Sequence, residues 1–292
     1  MKNVGFIGLG NMGSKMAANL TKAGYKVFGF DLNETLVDQM SEIGVIKVNT
    51  LHDLVKDKDI IITMLPDGNI VEKVLKETIE RIKPFSLFLD CSTIDVNTAI
   101  DLYSFAATKN ISFLDAPVSG GTIGAKNGSL TFMVGGDNSA FKQVSQLLDV
   151  LGSKSVYCGA SGSGQSTKLC NNLLLAITMI GVSESFNMAK NLNLDLNTLF
   201  QVISTATGSC WAVNSYCPIP NVGPQSPADN NFLPGFSAKL MSKDLKLAVN
   251  AAIESNSSID FGRRAEQLFS EMSKGINGDK DFSAIINEMN KN

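Results

Sequence analysis

The feature that most constrains the fold is a glycine pattern close to the N-terminus. Residues 4–13 read VGFIGLGNMG, a G-x-G-x-x-G pattern that follows a strand-like run and precedes a helical pattern. In such a unit the first glycine allows a tight turn and the second lets a pyrophosphate approach the backbone, while the third lets helix and strand pack closely. The helix N-terminus then offers free N–H groups to the phosphates. We therefore expect a dinucleotide-binding loop made of Gly8, Gly10, Asn11, Met12 and Gly13.

An acidic residue follows the second strand-like run. Residues 26–30 lead directly into Asp31, close to the roughly 20 positions after the glycines at which a ribose-binding acid is expected. A carboxylate there accepts hydrogen bonds from ribose hydroxyls and repels a 2′-phosphate, and Leu32 and Asn33 supply no arginine to bind one. The pattern predicts NAD rather than NADP. Asp31 is also able to cap the next helix, which is compatible with ribose binding.

Strand-like and helical patterns alternate as far as residue 157. The strands are expected at residues 4–8, 27–30, 60–64, 87–90, 112–114, 130–134 and 155–158, and the helices near 12–23, 34–43, 68–82, 95–108 and 138–151. This alternation is typical of crossover units and a parallel sheet. After a glycine–serine hinge, a long helical pattern runs over 165–191 and strand alternation does not return. We predict an α/β fold with a Rossmann-type NAD-binding domain over 1–162 and an all-α domain over 163–292, linked by a long helix.

Composition bears on partners and on mechanism. A net charge of −3 provides no basic field for nucleic acid or an anionic membrane. The longest apolar run, residues 173–182, is far too short to cross a bilayer. The strand-like run from residue 4 leaves no room for a secretory leader. We expect a cytoplasmic protein whose partners are small molecules and copies of itself, as a homodimer or homotetramer, because the long helix is apolar.

The single histidine limits the available chemistry. His52 lies beside a predicted helix cap, where a surface role is expected. A histidine base, a Ser-His-Asp triad and a multi-histidine metal site are therefore disfavoured, and we expect no metal.

A lysine and an asparagine share one face of the predicted long helix. Residues 162–172 read GSGQSTKLCNN, which places Lys168 and Asn172 four positions apart. A lysine on an apolar helix often only buries its stem. The glycine-rich approach, the asparagine one turn further on and the scarcity of histidine favour Lys168 as a functional residue.

Further motifs carry a family resemblance over essentially the whole chain. Besides the glycine loop and the lysine segment, they are MLP at residues 64–66, DCST at 90–93, DAPVSGG at 115–121 and LMSKDL at 240–245. With these motifs the chain resembles the β-hydroxyacid dehydrogenase family. The resemblance implies that Lys168 is the catalytic acid/base and that Asn172 helps to hold the substrate.

The resemblance assigns further binding residues. It implies that the substrate carboxylate binds to Ser119, Gly120 and Gly121, and that the nicotinamide end of the cofactor is contacted by Leu65, Pro66, Thr93 and Lys243. Consecutive small residues at 119–121 are able to turn several backbone N–H groups toward an anion, although a plain turn has the same composition.

The second half of the chain bears on the substrate. The segments 208–211, 216–220, 227–228 and 235–236 resemble the branch of the family that acts on 3-hydroxyisobutyrate. By this resemblance Trp211 and Phe236 form an apolar wall for a methyl-bearing substrate, whereas by composition alone they are equally well core residues. Cys217 and Asn221 depart from the asparagine and the glycine expected at these two positions.

The reaction implied is NAD-dependent oxidation of 3-hydroxyisobutyrate to methylmalonate semialdehyde, a step of valine breakdown. One alternative is a reductase of the same family acting on glyoxylate, succinate semialdehyde or tartronate semialdehyde; these tend to prefer NADPH, so Asp31 disfavours them. Another is a non-catalytic dinucleotide-binding module, which Lys168 together with Asn172 disfavours.

Overall fold

The computed structural model describes residues 2–289, and they divide into two compact units with the boundary between Lys168 and Leu169. This boundary lies inside the long helix that begins at Ser163. The division predicted after residue 162 stays a prediction.

Residues 2–168 contain a nine-stranded sheet. Six strands run parallel in the order β3-β2-β1-β4-β5-β6, followed by β8, which is antiparallel to β6 and β7 and parallel to β9. The strands are β1 (Asn3–Ile7), β2 (Lys26–Phe30), β3 (Ile46–Lys47), β4 (Ile60–Thr63), β5 (Leu87–Asp90), β6 (Ser112–Asp115), β7 (Val118–Ser119), β8 (Leu130–Gly136) and β9 (Gly152–Gly159).

Helices cover both faces of this sheet. They are α1 (Gly13–Lys22), α2 (Glu34–Ser41), α3 (Leu51–Val55), α4 (Gly68–Thr78), α5 (Val96–Ala107), α6 (Gly121–Asn127) and α7 (Asn138–Leu151), with a 3₁₀ turn at Ile79–Arg81. Successive residues of one strand enter different cores: Ile60 and Ile62 pack with α1 and α7, whereas Ile61 packs with α4 and α5. A parallel sheet requires this burial on both faces, which is why its strands read as continuous apolar runs.

The predicted Rossmann-type fold class is confirmed, and each strand expected from the sequence is present. Three short elements were not predicted, namely β3, β7 and α6. The exposed two-residue strand β3 has no apolar alternation to reveal it. The third element, α6, is rich in glycine, and glycine disfavours helices intrinsically.

Residues 169–289 are helical, as predicted. Helix α8 (Ser163–Asn191) enters this unit and is followed by α9 (Leu196–Ile203), α10 (Trp211–Asn214), α11 (Ala238–Glu254) and α12 (Asp260–Lys274), with 3₁₀ helices at Pro227–Asn230 and Phe282–Glu288. The core of the unit is formed by α8, α11, α12 and the C-terminal 3₁₀ helix, through Met179, Phe186, Met241, Phe269 and Phe282. The only β pairing among these described residues is an isolated bridge between Ser237 and Asp281.

Helix α8 is long and apolar enough, by length and composition, to cross a membrane. In the most apolar stretch of this helix, 39% is buried within the protein. The apolar run at residues 173–182 is too short for a membrane span by itself, but the whole helix is long enough. The core helix of a soluble protein has the same properties, and Met179 and Phe186 of α8 are fully buried core residues.

Candidate active site

The glycine loop has the geometry that dinucleotide binding requires. Gly8 has a φ of +93°, and a side chain at this position would collide with the Met64 carbonyl oxygen. A side chain at Gly13 would collide with the Gly8 carbonyl oxygen, so the helix packs tightly on the turn. Gly10 is exposed, and a Cβ added to it would meet no described atom within 4 Å. The loop therefore keeps a bare stretch of backbone at the start of α1, which fits a pyrophosphate.

Asp31 ties this loop to the end of β2. One of its carboxylate oxygens accepts a hydrogen bond from the Leu9 N–H at 2.7 Å, and the other accepts one from the Asn33 N–H at 2.8 Å. A carboxylate has about four lone-pair sites, so two remain for other donors. The helix cap itself is supplied by Asn33, which accepts from Thr35 N. Asp31 therefore does not cap the helix. It stabilises the glycine loop through its hydrogen bond from Leu9.

The loops after β4 and β5 are joined beside the glycine loop. The backbone N–H of Leu65 donates to the Ser92 hydroxyl at 2.9 Å. Leu65 and Thr93 are half-buried and Pro66 is exposed. All three lie beyond the carboxyl ends of parallel strands, where open α/β sheets bind their ligands.

A buried acid supports the second of these loops. Asp90 accepts hydrogen bonds from the Thr63 hydroxyl at 2.8 Å and the Ser92 N–H at 3.1 Å, both on the oxygen Oδ1. Among the described residues its other oxygen, Oδ2, has no hydrogen-bond partner. Burial raises the pKa of the Asp90 carboxyl to about 6. The hydrogen bonds from Ser92 and Thr63 lower this pKa, but their effect is smaller than that of burial.

A second buried acid fixes the start of α8. Asp115 ends β6 and accepts hydrogen bonds from the N–H groups of Gly162 at 2.8 Å and Gln165 at 2.9 Å. Burial raises the pKa of this carboxyl, while the donated N–H bonds oppose the shift. The Gln165 side chain reaches the loop after β5 and bonds on both sides of Thr93.

Sequence reasoning assigned no role to Asp115 or Gln165, although both lie within quoted motifs. The sequence shows only that Asp115 follows a predicted strand. It does not show that this carboxylate accepts hydrogen bonds from the start of α8. The predicted acid/base, Lys168, lies three positions after Gln165 and is itself buried.

The predicted carboxylate-binding segment connects β7 to α6. Ser119 pairs with Thr131 of the sheet, and the two following glycines have φ values of +130° at Gly120 and +60° at Gly121. Such angles are open to glycine at little steric cost, which explains the two consecutive glycines. Whether their N–H groups bind an anion stays a prediction.

The second unit holds its predicted site residues in two groups. In the first, the Asn172 amide nitrogen donates to Asp244 at 2.7 Å, and the Asn171 amide donates to the Asn172 oxygen at 3.0 Å. The Lys243 ammonium lies 3.5 Å from the other oxygen of Asp244. One buried carboxylate thus contacts both a predicted substrate residue and a predicted cofactor residue.

The second group is aromatic. Trp211 stacks on Tyr216 with ring centroids 4.8 Å apart, and Tyr216 stacks on Phe282. Trp211 is exposed and Phe236 is half-buried, so Trp211 is not the ordinary core residue that its composition allowed. The Tyr216 hydroxyl donates to Asp281 at 3.0 Å, and burial beside this acid raises the pKa of the tyrosine.

Asp281 organises the backbone of this group. The same carboxylate oxygen that accepts from Tyr216 also accepts the N–H groups of Gly235 and Phe236. The departure noted at Asn221 is accommodated locally, since this residue has a φ of +60°, which asparagine tolerates. Its N–H donates to Asp229 at 2.6 Å.

Other chemistry has little support in the described part of the chain. His52 is exposed on α3, with one ring nitrogen 3.2 Å from the Glu77 carbonyl oxygen. Over residues 2–289, no cluster of three or more His, Cys, Asp or Glu side chains is able to hold a metal ion. The sheet order and the glycine loop together define a Rossmann-type dinucleotide-binding protein.

Comparison with known proteins specifies the class further. Residues 3–159 match the family model described as "NAD binding domain of 6-phosphogluconate dehydrogenase", and residues 162–289 match "NAD-binding of NADP-dependent 3-hydroxyisobutyrate dehydrogenase". A probable 3-hydroxyisobutyrate dehydrogenase of Mycobacterium tuberculosis is 41% identical over 289 residues, 99% of this chain and 98% of the relative. The mitochondrial 3-hydroxyisobutyrate dehydrogenase of Drosophila melanogaster is 42% identical, over 99% of this chain and 90% of its own.

A solved structure agrees with these relatives. The Mycobacterium tuberculosis 3-hydroxyisobutyrate dehydrogenase with L-serine has a TM-score of 0.95 to this chain, with 41% identity over 99% of both chains. The chain belongs to the 3-hydroxyisobutyrate dehydrogenase family, as its motifs indicated.

Proposed function

We propose that this chain oxidises 3-hydroxyisobutyrate to methylmalonate semialdehyde with NAD as the hydride acceptor. The observation that carries the proposal is the buried position of Lys168. This lysine lies on α8, whose first turn is hydrogen-bonded to Asp115 at the end of β6. The relatives of the chain are named for this reaction. A lysine in this position is able to take a proton from a substrate hydroxyl.

In the proposed reaction, the chain's own residues move one proton and orient the substrate. Lys168 accepts the hydroxyl proton, and Asn172, one helical turn further on, directs an amide N–H to the substrate. Ser119, Gly120 and Gly121 hold the carboxylate through N–H groups. Trp211 and Phe236 contact the methyl group. General base catalysis of this kind contributes roughly 10²–10⁴-fold in rate.

The residues present fit a nicotinamide dinucleotide, which supplies the hydride acceptor when bound. Gly8, Gly10, Asn11, Met12 and Gly13 would hold its pyrophosphate, Asp31 its ribose, and Leu65, Pro66, Thr93 and Lys243 its nicotinamide half. The family matched by residues 162–289 is described as NADP-dependent. We nevertheless propose NAD, because the Asp31 carboxylate repels a 2′-phosphate and its neighbour Leu32 is an apolar, exposed side chain.

L-serine is a second candidate substrate, since a relative with a TM-score of 0.95 was solved with it. Serine is itself a 3-hydroxy acid, with an amino group in place of the methyl group. The reductase activities toward glyoxylate, succinate semialdehyde and tartronate semialdehyde remain the alternatives within the family.

We also propose that the protein acts in the cytoplasm as a homodimer or homotetramer, with no nucleic acid or membrane as partner. The net charge of −3 supports the absence of nucleic acid. The exposed Leu174 and Met188 on α8 support contact between subunits. Light scattering of the purified protein measures its oligomeric state.

The deciding experiment is an oxidation assay of both enantiomers of 3-hydroxyisobutyrate, of both serines and of simple 2-hydroxy acids, each with NAD and with NADP. Reduction of glyoxylate and of the two semialdehydes is measured in parallel. The highest kcat/KM is expected for one enantiomer of 3-hydroxyisobutyrate with NAD. A higher value for a semialdehyde with NADPH, or no turnover at all, contradicts the proposal.

A further inference from the structure

The Gln165 side chain brackets Thr93. Its amide nitrogen donates to the Ser92 carbonyl oxygen at 2.8 Å, and its amide oxygen accepts from the Ile94 N–H at 3.1 Å. Gln165 is fully buried. We propose that Gln165 is a positioning residue, which holds the Thr93 segment at a fixed place relative to Lys168; this inference rests on the proposed function.

The two hydrogen bonds fix the amide in one orientation. The donor of a primary amide faces a carbonyl oxygen and its acceptor faces an N–H, so a flipped amide would place like groups against each other at both ends. Because the side chain is fully buried, bulk water does not compete for either bond. One side chain therefore binds the backbone on both sides of Thr93.

The other end of Gln165 is equally fixed. Its N–H donates to one Asp115 oxygen at 2.9 Å, while the Gly162 N–H donates to the other at 2.8 Å. The first turn of α8 is thereby attached to the end of β6. Gln165 and Lys168 are three positions apart in this turn, so their side chains are neighbours on the helix surface.

Gln165 therefore connects the Thr93 segment to the helical turn that carries Lys168. This connection consists of two hydrogen bonds, one side chain and less than one full turn of helix, with no flexible loop between them. Thr93 is the proposed contact of the nicotinamide end and Lys168 the proposed proton acceptor. The placement of hydride acceptor and base relative to each other thus depends on Gln165. A misplacement of about 1 Å at a reacting centre costs up to about 10²-fold in rate.

Two substitutions test this role. Gln165→Met keeps the length of the side chain and removes both hydrogen bonds. Gln165→Glu keeps the acceptor for Ile94 and replaces the donor to Ser92 with a carboxylate oxygen. For both variants we expect kcat to fall by roughly 10- to 100-fold. The Kd for NAD should change less than about threefold, because the glycine loop and Asp31 are untouched.

The readout that separates positioning from mere stability is the primary deuterium isotope effect. It is measured on kcat with 3-hydroxyisobutyrate deuterated at the carbon that bears the hydroxyl. We expect an isotope effect at least as large as that of the wild type, since hydride transfer is the step slowed. A smaller isotope effect, or an unchanged kcat, overturns the inference.

Ser86→Ala is the matched control. The Ser86 hydroxyl is also fully buried and donates to the Lys58 carbonyl oxygen at 2.7 Å, at the opposite end of β5 from Ser92. This variant should lose stability and keep the kcat of the wild type. If both Gln165 variants only fail to fold, the residue is structural and the inference is wrong.

The proposed function fails separately. A wild type that is inactive on 3-hydroxyisobutyrate but active on another hydroxy acid overturns the substrate assignment alone, and the isotope effect is then measured on that acid. A wild type inactive on all of them overturns both proposals.

Discussion

The amide nitrogen of Asn172 donates a hydrogen bond to the Asp244 carboxylate at 2.7 Å. Asp244 is 2% exposed, so water competes little for this bond. Because a carboxylate has only acceptors, it excludes the flipped amide, whose oxygen would face it. The orientation of the Asn172 amide is thereby fixed.

Asp244→Asn should therefore weaken substrate binding more than cofactor binding. The amide introduced by this substitution no longer discriminates between the two orientations of the Asn172 amide. A hydrogen bond to a charged group contributes about 1.5–3 kcal/mol, so we expect KM for the acid substrate to rise by at least about tenfold. Asp279→Asn, which removes an exposed partner of Lys239, serves as control and should leave KM unchanged.

Lys168→Ala should lower turnover by at least about 10²-fold and leave NAD binding nearly intact. The reason is that Lys168 is the one plausible acid/base in a chain whose only histidine is remote in sequence and exposed. Lys190→Ala, an exposed lysine at the far end of the same helix, is the matched control. Turnover of a folded Lys168→Ala variant within a few-fold of wild type would remove this residue from the mechanism.

The fold was readable from the sequence because buried parallel strands are continuous apolar runs bounded by helices. Val4, Ile61 and Leu89 belong to strands that were all predicted. The glycine roles were equally readable, since Gly8 and Gly13 are required by local backbone geometry. Such local requirements act over a few residues and leave a pattern at fixed spacing.

The hydrogen-bond network around Gln165 and Asn172 could not be predicted from the sequence. Gln165 bonds to Ser92 and Ile94 across more than 70 positions of sequence, and Asn172 bonds to Asp244 over a similar separation. Nothing in a single sequence marks which glutamine or which acid is buried. These partners are brought together only by the packing of α8 on its neighbours, so they became visible in the structure alone.

The cofactor preference depends on Asp31 and its neighbour. The double substitution Asp31→Ser, Leu32→Arg should shift preference from NAD toward NADP, because a repulsive carboxylate is removed and a phosphate partner is added. Leu32 is 92% exposed, so an arginine there meets no steric obstacle. The ratio of kcat/KM for the two cofactors is compared with that of Leu32→Arg alone. A wild type that already prefers NADP contradicts the argument from Asp31.

The substrate carboxylate should be essential for recognition. If the N–H groups of residues 119–121 bind it, each charge-assisted hydrogen bond contributes about 1.5–3 kcal/mol. Isobutanol, which lacks the acid, should then be a very poor substrate, and the methyl ester of 3-hydroxyisobutyrate should lose most of the efficiency. Equal turnover of isobutanol and the acid would show that the assigned carboxylate site is wrong.

A substitution in the same segment tests its geometry. Gly120→Ala adds a Cβ 3.2 Å from a Leu130 methyl group at a φ of +130°, so the segment must shift. KM for the acid should rise while the Kd for NAD stays unchanged. Gly24→Ala, at a φ of +88° with nothing described within 4 Å of the added Cβ, introduces similar backbone strain elsewhere and should not affect KM.

The buried Asp90 carboxyl should make folding stability depend on pH. Burial raises its pKa from 3.8 to about 6, so the folded protein binds the proton more tightly than the unfolded chain does. This group therefore stabilises the fold most below about pH 4, and its contribution is lost as pH rises through about 6. One pKa unit corresponds to 1.36 kcal/mol, which sets an upper limit of about 3 kcal/mol.

Asp90→Asn removes the titration and keeps an oxygen able to accept from Thr63 and Ser92. As the pH is raised from about 4.5 to about 7.5, the stability of this variant relative to the wild type should therefore rise by up to about 2 kcal/mol. Free energies of unfolding from urea titrations, followed by circular dichroism at both pH values, give the difference directly. Other acids titrate in both proteins and cancel. A wild-type-to-variant difference that is the same at both pH values would mean that Asp90 is already ionised in the folded protein throughout this range.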